Sequence, residues 1–236
     1  MKNQDNFYHN YESDAFFDRW QNKNTSFKKI RPHTKKTVNF ISNHIDCKDI
    51  SILEIGCFIG DKLNYFKENY NCKVHGIEPS KKACNYAKKN YNLKLENCTF
   101  KNSKYSNFNN KGGKFNLIIL EDVLNWIDRN YIIHCIALVD HLIKNDGFIF
   151  IREYNPSFSY SNFNHHHPAS FNIKSYKYRN GYSSLFTNFG IYKILKSIIE
   201  PDKKFNVKTS SKEDHDICED TILQKSSKNL FPIIKI

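Results

Sequence analysis

No apolar run in this 236-residue sequence is long enough to span a bilayer. Runs such as Leu117–Leu120 and Phe148–Ile151 have the length of single strands, well below the roughly 20 residues of a crossing helix, which excludes membrane insertion as an expectation. The opening stretch Met1–Glu12 is polar and gives no sign of a signal peptide. Cysteine pairs at ligand spacing are missing too. Seven cysteines stand at positions 47, 57, 72, 84, 98, 135 and 218, an odd number without a C-x-x-C pair. That excludes a disulfide framework and a zinc knuckle, and reduced thiols in a cytoplasmic protein are expected. Lys and Arg number 36 against 24 acidic residues, a net charge of +12. The basic residues are spread along the chain, with no sustained block and no RNA-binding motif, so the excess reads as solvated lysine and nucleic acid is not the expected partner. No internal repeat or second domain is visible, and the length suits one α/β domain.

What is present centres on Ser51–Leu63, SILEIGCFIGDKL. Ile52, Leu53 and Ile55 suit a buried strand, Gly56 and Gly60 bracket a tight loop, and Asp61 opens an amphipathic segment. Strand, glycine turn and helix together form a nucleotide-cradling unit, in which glycine lets backbone approach a ligand. Glu54 ends the strand, and a buried carboxylate is costly without a partner; a cationic ligand or a ligand amine would serve. The loop Glu54-Ile-Gly56-Cys57-Phe58-Ile-Gly60 lacks the middle glycine of a dinucleotide fingerprint and adds an acid. That departure points to a ligand without phosphates, and S-adenosylmethionine (SAM) fits, with its sulfonium, amino-acid tail and ribose. Eighteen residues past Gly60, Lys73–Pro79 reads as a second strand ending at Glu78, where a carboxylate can accept from a ribose diol.

The stretches ILEIGCFIG, VHGIEPS, FNLIILEDVLNWI and LIKNDGFIFI, in that order between Ile50 and Glu153, resemble the successive motifs of class I SAM-dependent methyltransferases. Phe58 departs from the pattern where many members carry glycine. The resemblance implies a Rossmann-like doubly wound sheet, mostly parallel with an antiparallel C-terminal strand and helices on both faces. It implies that Glu54, Gly56, Cys57, Phe58, Gly60 and Asp61 hold the methionine part of SAM and Glu78 with Pro79 the ribose. Asn102 or Ser103 would meet the adenine edge, and Glu121 and Asp122 would line the site after strand four.

The remaining elements follow in order. Residues 1–34 form an N-terminal arm, frayed to Asp14, whose cap helix Ala15–Trp20 packs Phe16, Phe17 and Trp20 on the domain or lines the mouth of the pocket. Residues 35–236 form the methyltransferase domain. Helices are expected at Lys35–Ile45, Asp61–Tyr70, Lys81–Tyr91 and Tyr131–Leu142. Strands are expected at Cys72–Glu78, Leu93–Phe100, Phe115–Leu120 and Gly147–Glu153. Ser183–Ile199 reads as a further helix, and Phe205–Thr209 and Asp220–Gln224 as closing strands. Between them, residues 154–182 interrupt the alternation and read as a lid or acceptor-binding insertion. Its run Asn164-His165-His166-His167 invites a metal, but adjacent residues of an extended segment face opposite ways and no H-x₃-H spacing accompanies them, so no metal is assigned. Histidine suits proton transfer at neutral pH, and the candidate bases are His166, His165, Glu153 and Glu121, with His166 preferred and Glu153 as its orienter. This tail also resembles a bacterial methyltransferase subgroup linked to surface-polysaccharide and nucleotide-sugar biosynthesis, which implies a small-molecule acceptor hydroxyl. RNA or protein methylation, or a non-catalytic scaffold, remain the alternatives.

Overall fold

The computed structural model describes residues 4–23, 31–109, 111–156, 158–163, 174–201 and 217–226. It opens with helices α1 (Gln4–Phe7) and α2 (Ser13–Lys23), joined by a π-helical turn, and continues with α3 (Pro32–Ser42). Strand β1 (Ser51–Ile55), helix α4 (Asp61–Tyr70), strand β2 (Lys73–Ile77) and helix α5 (Lys81–Tyr91) then alternate. Strand β3 (Phe115–Glu121), helix α6 (Ile132–Leu142) and strand β4 (Ile143–Tyr154) follow. A small hairpin of β5 (Tyr160–Phe163) and β6 (Lys174–Lys177), the short helix α7 (Ser184–Thr187), β7 (Tyr192–Pro201) and β8 (Ile217–Lys225) complete the described chain.

Six strands form one sheet in the order β2-β1-β3-β4-β8-β7. The first four are parallel, and β8 runs antiparallel to both β4 and β7. This is the mixed, mostly parallel Rossmann-like sheet with an antiparallel C-terminal strand that the sequence implies. The apolar run of β3 is buried on both faces, as parallel strands under crossover helices require. Alternate residues serve opposite layers. Leu53, Ile55, Ile118, Leu120, Ile149 and Ile151 pack with α6, whereas Ile52, Leu117, Ile119, Phe150 and Ile222 pack with Val38 and Ile41 of α3 and Leu63 and Phe66 of α4. The same alternation directs Glu54, Glu121 and Arg152 to the α3/α4 face and Glu153 to the other.

Three local expectations are corrected. Leu93–Phe100 forms no strand, only an isolated parallel bridge of Glu96 to Ile77; Asn97 turns its amide to the carbonyls of Glu78 and Pro79, so polar groups there serve a loop. Ser183–Ile199 is not one helix. Helix α7 ends at Thr187, Gly190 follows with a φ of +74° that no helix continues through, and the β-branched residues beyond it pair with β8. Residues 4–14 are helical rather than frayed, because Phe7 is buried and Gln4 Nε2 donates to the carbonyls of Trp126 (2.5 Å) and Lys174 (3.0 Å). The closing strand at 205–209 lies outside the described residues.

Close packing between β1, β2 and α4 turns on one glycine. A Cβ at Gly76 would lie 2.6 Å from Cys57 Sγ and 2.8 Å from Leu63 Cδ1. Gly76→Val is expected to cost on the order of 1–3 kcal/mol by overpacking, read from urea unfolding; an unchanged midpoint would show that this seam can expand.

Candidate active site

The carboxyl ends of β1, β2 and β3 meet at the glycine loop. Gly56 and Gly60 adopt φ of +73° and +71°, and a Cβ at Gly56 would strike Val123 Cγ2 at 2.9 Å, so the loop and the turn after β3 touch across a glycine. Phe58 also has a left-handed φ of +51°, a strained choice for an aromatic residue. Its ring is held by Phe16, Phe17 and Trp20 of α2, at centroid distances of 5.2, 6.0 and 4.9 Å. The arm therefore packs on the strained aromatic residue of the loop. Cys57 is buried, and burial pushes its thiol well above the ordinary range.

Beneath the loop lies a closed charge cluster. Lys62, in the first turn of α4, sits 2.8 Å from Glu54 Oε1 and 2.6 Å from Glu121 Oε2. All three are buried. His33 Nε2 lies 2.5 Å from Glu121 Oε1, which also accepts from Thr37 Oγ1 at 3.0 Å. Arg31 forks onto Asp61 at 2.7 and 2.6 Å, and Thr34 donates to the same carboxylate at 2.7 Å. Burial pushes the Glu54 carboxyl up to about 7 against the pull of Lys62. Burial alone would also raise Glu121, but Lys62 and His33 outweigh it and hold that carboxyl well below its usual range. Burial would lower the Lys62 ammonium, yet Glu121, Glu54 and Asp61 together raise it. Glu54 Oε2 is buried without a hydrogen-bond partner among the described residues.

The other sequence-read residues are placed as follows. Glu78 accepts from Phe58 N (2.8 Å) and Ser80 N (2.7 Å), one bond per carboxylate oxygen, and burial pushes it up to about 7. A second lone pair on each oxygen remains for a diol. Pro79 is partly exposed beside it and lends its carbonyl to Asn97 (2.8 Å). Asn102 is exposed in a 3₁₀ turn, whereas Ser103 is buried with its hydroxyl donating to Phe100 O and accepting from Tyr105 N. Asp122 has φ of +53° and its amide is tied to Arg152 O. Glu153 lies on the opposite face of the sheet, buried, accepting from Val123 N (2.7 Å), Leu124 N and Asn125 Nδ2 (2.8 Å); burial and then Asp122 push it up to about 8. His165 and His166 lie outside the described residues.

The sequence reading missed Arg31, His33, Thr34, Thr37 and Lys62. Two signals were available. Pro32 marks the first position of a helix, which places Arg31 and His33 at its opening turn rather than in a connector. A lysine in the first turn of a helix opposes the dipole, so Lys62 needs acids from elsewhere.

Residues 52–147 match the family described as methyltransferase domain. No curated protein sequence matches this chain. Among solved structures, the 1,6-didemethyltoxoflavin-N1-methyltransferase of Burkholderia thailandensis is similar with a TM-score of 0.64 at 11% identity, covering 90% of this chain and 86% of that one. The magnesium protoporphyrin IX methyltransferase of Synechocystis, with bound SAM, gives 0.60 at 13% identity over 96% and 99%. A SAM-dependent methyltransferase of Archaeoglobus fulgidus gives 0.59 at 12% over 89% and 100%. At these identities the likeness is one of fold; the match to a methyltransferase domain over residues 52–147 points to methyl transfer, and SAM is the cofactor bound in the Synechocystis structure. The cluster fits it: a buried, unpaired carboxylate oxygen on Glu54 suits an ammonium, and Glu78 suits a ribose.

Lys62→Met tests the cluster. Glu54 has a folded-state value of about 7 against an ordinary 4.5, so the folded protein binds the extra proton between those values and stability falls as pH rises through that window. Removing the counter-charge is expected to cost about 3–5 kcal/mol at pH 8 and less at pH 5, where Glu54 is protonated. Urea unfolding at both pH values checks this; equal losses would contradict an ionic triad.

Proposed function

We propose that this SAM-dependent methyltransferase acts on a small-molecule acceptor, a hydroxyl of a sugar, nucleotide sugar or surface-glycan precursor. The observation that carries the cofactor half is an unpartnered Glu54 oxygen at the carboxyl end of β1 beside a buried Glu78 just past the end of the adjacent strand β2. The acceptor half is supported by what covers that edge. The arm and the β5–β6 hairpin both close on the turn after β3, through Gln4 on Trp126 and Lys174 and through Tyr8, whose ring lies tilted 5.7 Å from that of Trp126. Two covering segments suit an enclosed small acceptor better than a polymer laid across the sheet. The Burkholderia and Synechocystis proteins are named for small molecules, didemethyltoxoflavin and magnesium protoporphyrin IX, which agrees with that scale. The tail's resemblance supports the sugar class.

Bound SAM supplies a methyl group made electrophilic by its sulfonium. The chain's own part is binding, orientation and proton transfer. Gly56, Cys57, Phe58, Gly60 and Asp61 shape the methionine side. Glu78 and Pro79 hold the ribose, and Asn102, exposed where Ser103 is closed, meets the adenine edge. Glu121 and Asp122 border the site. To His166, or to its sequence neighbour His165, we assign removal of the proton from the acceptor hydroxyl, a role that rests on the sequence of the 154–182 insertion. Glu153 acts from the other face, fixing residues 123–125 so that Val123 stays against the glycine loop.

Calorimetric titration of SAM into wild type and Glu78→Gln tests the cofactor half. Loss of a charge-assisted acceptor is expected to weaken binding by about 1.5–3 kcal/mol. Labelled methyl transfer into a pool of nucleotide sugars tests the acceptor half, with the label expected in that pool and lost in His166→Ala. Label appearing instead in RNA, with steeply salt-dependent binding, would replace the small-molecule reading.

A further inference from the structure

A second group of chemistry-bearing side chains gathers at the amino ends of β1 and β3, at the end of the sheet away from the glycine loop. Ser51, His75, Lys104, Tyr105, Lys114 and Phe115 line a cavity of about 310 Å³. Phe115 and Tyr105 are buried and form its aromatic wall. The His75 and Tyr105 rings both meet Phe115 edge-on, each at 5.4 Å between centroids, and the Tyr105 hydroxyl lies 3.3 Å from His75 Nδ1. Two ammonium groups stand over the Tyr105 ring, Lys104 Nζ at 5.1 Å and Lys114 Nζ at 5.7 Å from its centroid. Glu96 Oε2 reaches Lys104 Nζ only at 4.0 Å, the outer limit of an ion pair. Lys114 forms no ion pair among the described residues, and its contact is the tyrosine ring. A third ammonium lies beside Ser51: Lys144 Nζ donates to Asn116 Oδ1 (3.0 Å), which also accepts from Ser51 N (3.1 Å). Partial burial and then the Lys104 charge hold the His75 imidazole below its ordinary value, so the ring is neutral at pH 7.

We propose that this cavity binds a small phosphorylated metabolite, with Lys104 and Lys114 as cationic contacts to its phosphoryl group and the aromatic wall against its organic body. The argument is one of charge and shape. A tyrosine face attracts an ammonium weakly at an exposed site, so the second ammonium at one ring is repelled by the first with little to offset it. A dianion between them reverses that balance, because hydrogen bonds from ammonium groups to phosphate oxygens are charge-assisted. Ser51 adds a hydroxyl donor, and a neutral imidazole still keeps one N–H. A cationic ligand would add to the repulsion, and an uncharged sugar would leave both ammonium groups without a counter-charge. A cavity of about 310 Å³ stands at the small end of ligand pockets, which run from about 300 to 1,000 Å³. That size suits a metabolite and not a polymer. None of the six lining residues belongs to the glycine loop or its charge cluster, so this second site is independent of both the SAM reading and the acceptor reading.

The test titrates ribose 5-phosphate, inorganic phosphate and ribose into the full chain at fixed ionic strength, by calorimetry and by NMR of the histidine rings, with the His75 signal assigned from His75→Gln. The same titrations are run on Lys104→Gln, Lys114→Gln, Lys114→Arg and Lys67→Gln, with a thermal melt of each. Lys67 is the control, a lysine of α4 that lies 3.8 Å from Glu68 and outside the cavity. Ribose 5-phosphate is expected to bind saturably, about 10-fold more tightly than inorganic phosphate, and to shift the His75 signal, whereas ribose is expected not to bind. Lys104→Gln and Lys114→Gln are each expected to lose about 10-fold in affinity for the ester, the loss of one charge-assisted contact. Lys114→Arg, which keeps the charge, and Lys67→Gln are expected to stay within about 2-fold. No saturable binding of the ester, or binding that leaves the His75 signal unmoved, would overturn the proposal. Equal weakening by Lys67→Gln would overturn it in favour of diffuse attraction to a basic chain. Equal affinity for phosphate and its ester would overturn the seat for an organic body and leave a site for the free anion.

Discussion

The Glu54–Lys62–Glu121 triad is the constraint around which the carboxyl edge of the sheet is arranged. Each buried charge costs several kcal/mol in desolvation, and a pair is tolerable only with close geometry and further hydrogen bonds. The pleat of β1 and β3 turns both carboxylates to one face, and the first turn of α4 places the ammonium between them. The triad is not self-sufficient. Glu121 needs Thr37 and His33, and neighbouring Asp61 needs Arg31 and Thr34. All four come from α3 or its cap. The segment before the first strand is therefore part of the site's electrostatics.

A second buried network lies on the opposite face. Glu153 collects the amides of Val123 and Leu124, and its antiparallel neighbour Glu219 accepts from Ser183, Ser197 and Asn155. These bonds fix the turn after β3 and the start of α7 against the last strands. The division between the acids of the α3/α4 face and the turn-holding acids follows from strand parity alone. Adjacent residues Arg152 and Glu153 fall on different sides, so one joins Asp220 and Glu121 while the other does not.

Parallel strands and crossover helices were legible because their signals are local and strong. The apolar run of β3 and the glycine loop need no distant partner to be recognised, and Asp61–Tyr70 and Lys81–Tyr91 match their helices to the residue. The failures share a cause in tertiary context. The apolar residues of 183–199 suit a helix face as well as a strand, and pairing with β8 decides between them. Leu93–Phe100 keeps a single bridge at Glu96, beyond which the Asn97 side chain bonds the backbone of Glu78 and Pro79. Glu54 was rightly read as a buried acid in need of a cation, but half of that need is met inside the chain by Lys62, eight residues on and in the first helical turn after the loop. Arg31 and His33 were hidden because spacing along the sequence says nothing of a contact with residues thirty to ninety positions later.

The most direct test of the account is a crystal structure of the chain grown with S-adenosylhomocysteine. The account places the ribose at Glu78 and the amino-acid end over Glu54, along the carboxyl ends of β1 and β2. A ligand found in that position would establish the triad as the floor of the cofactor site. A ligand bound elsewhere, with Glu54 Oε2 and both oxygens of Glu78 still facing only protein, would contradict it.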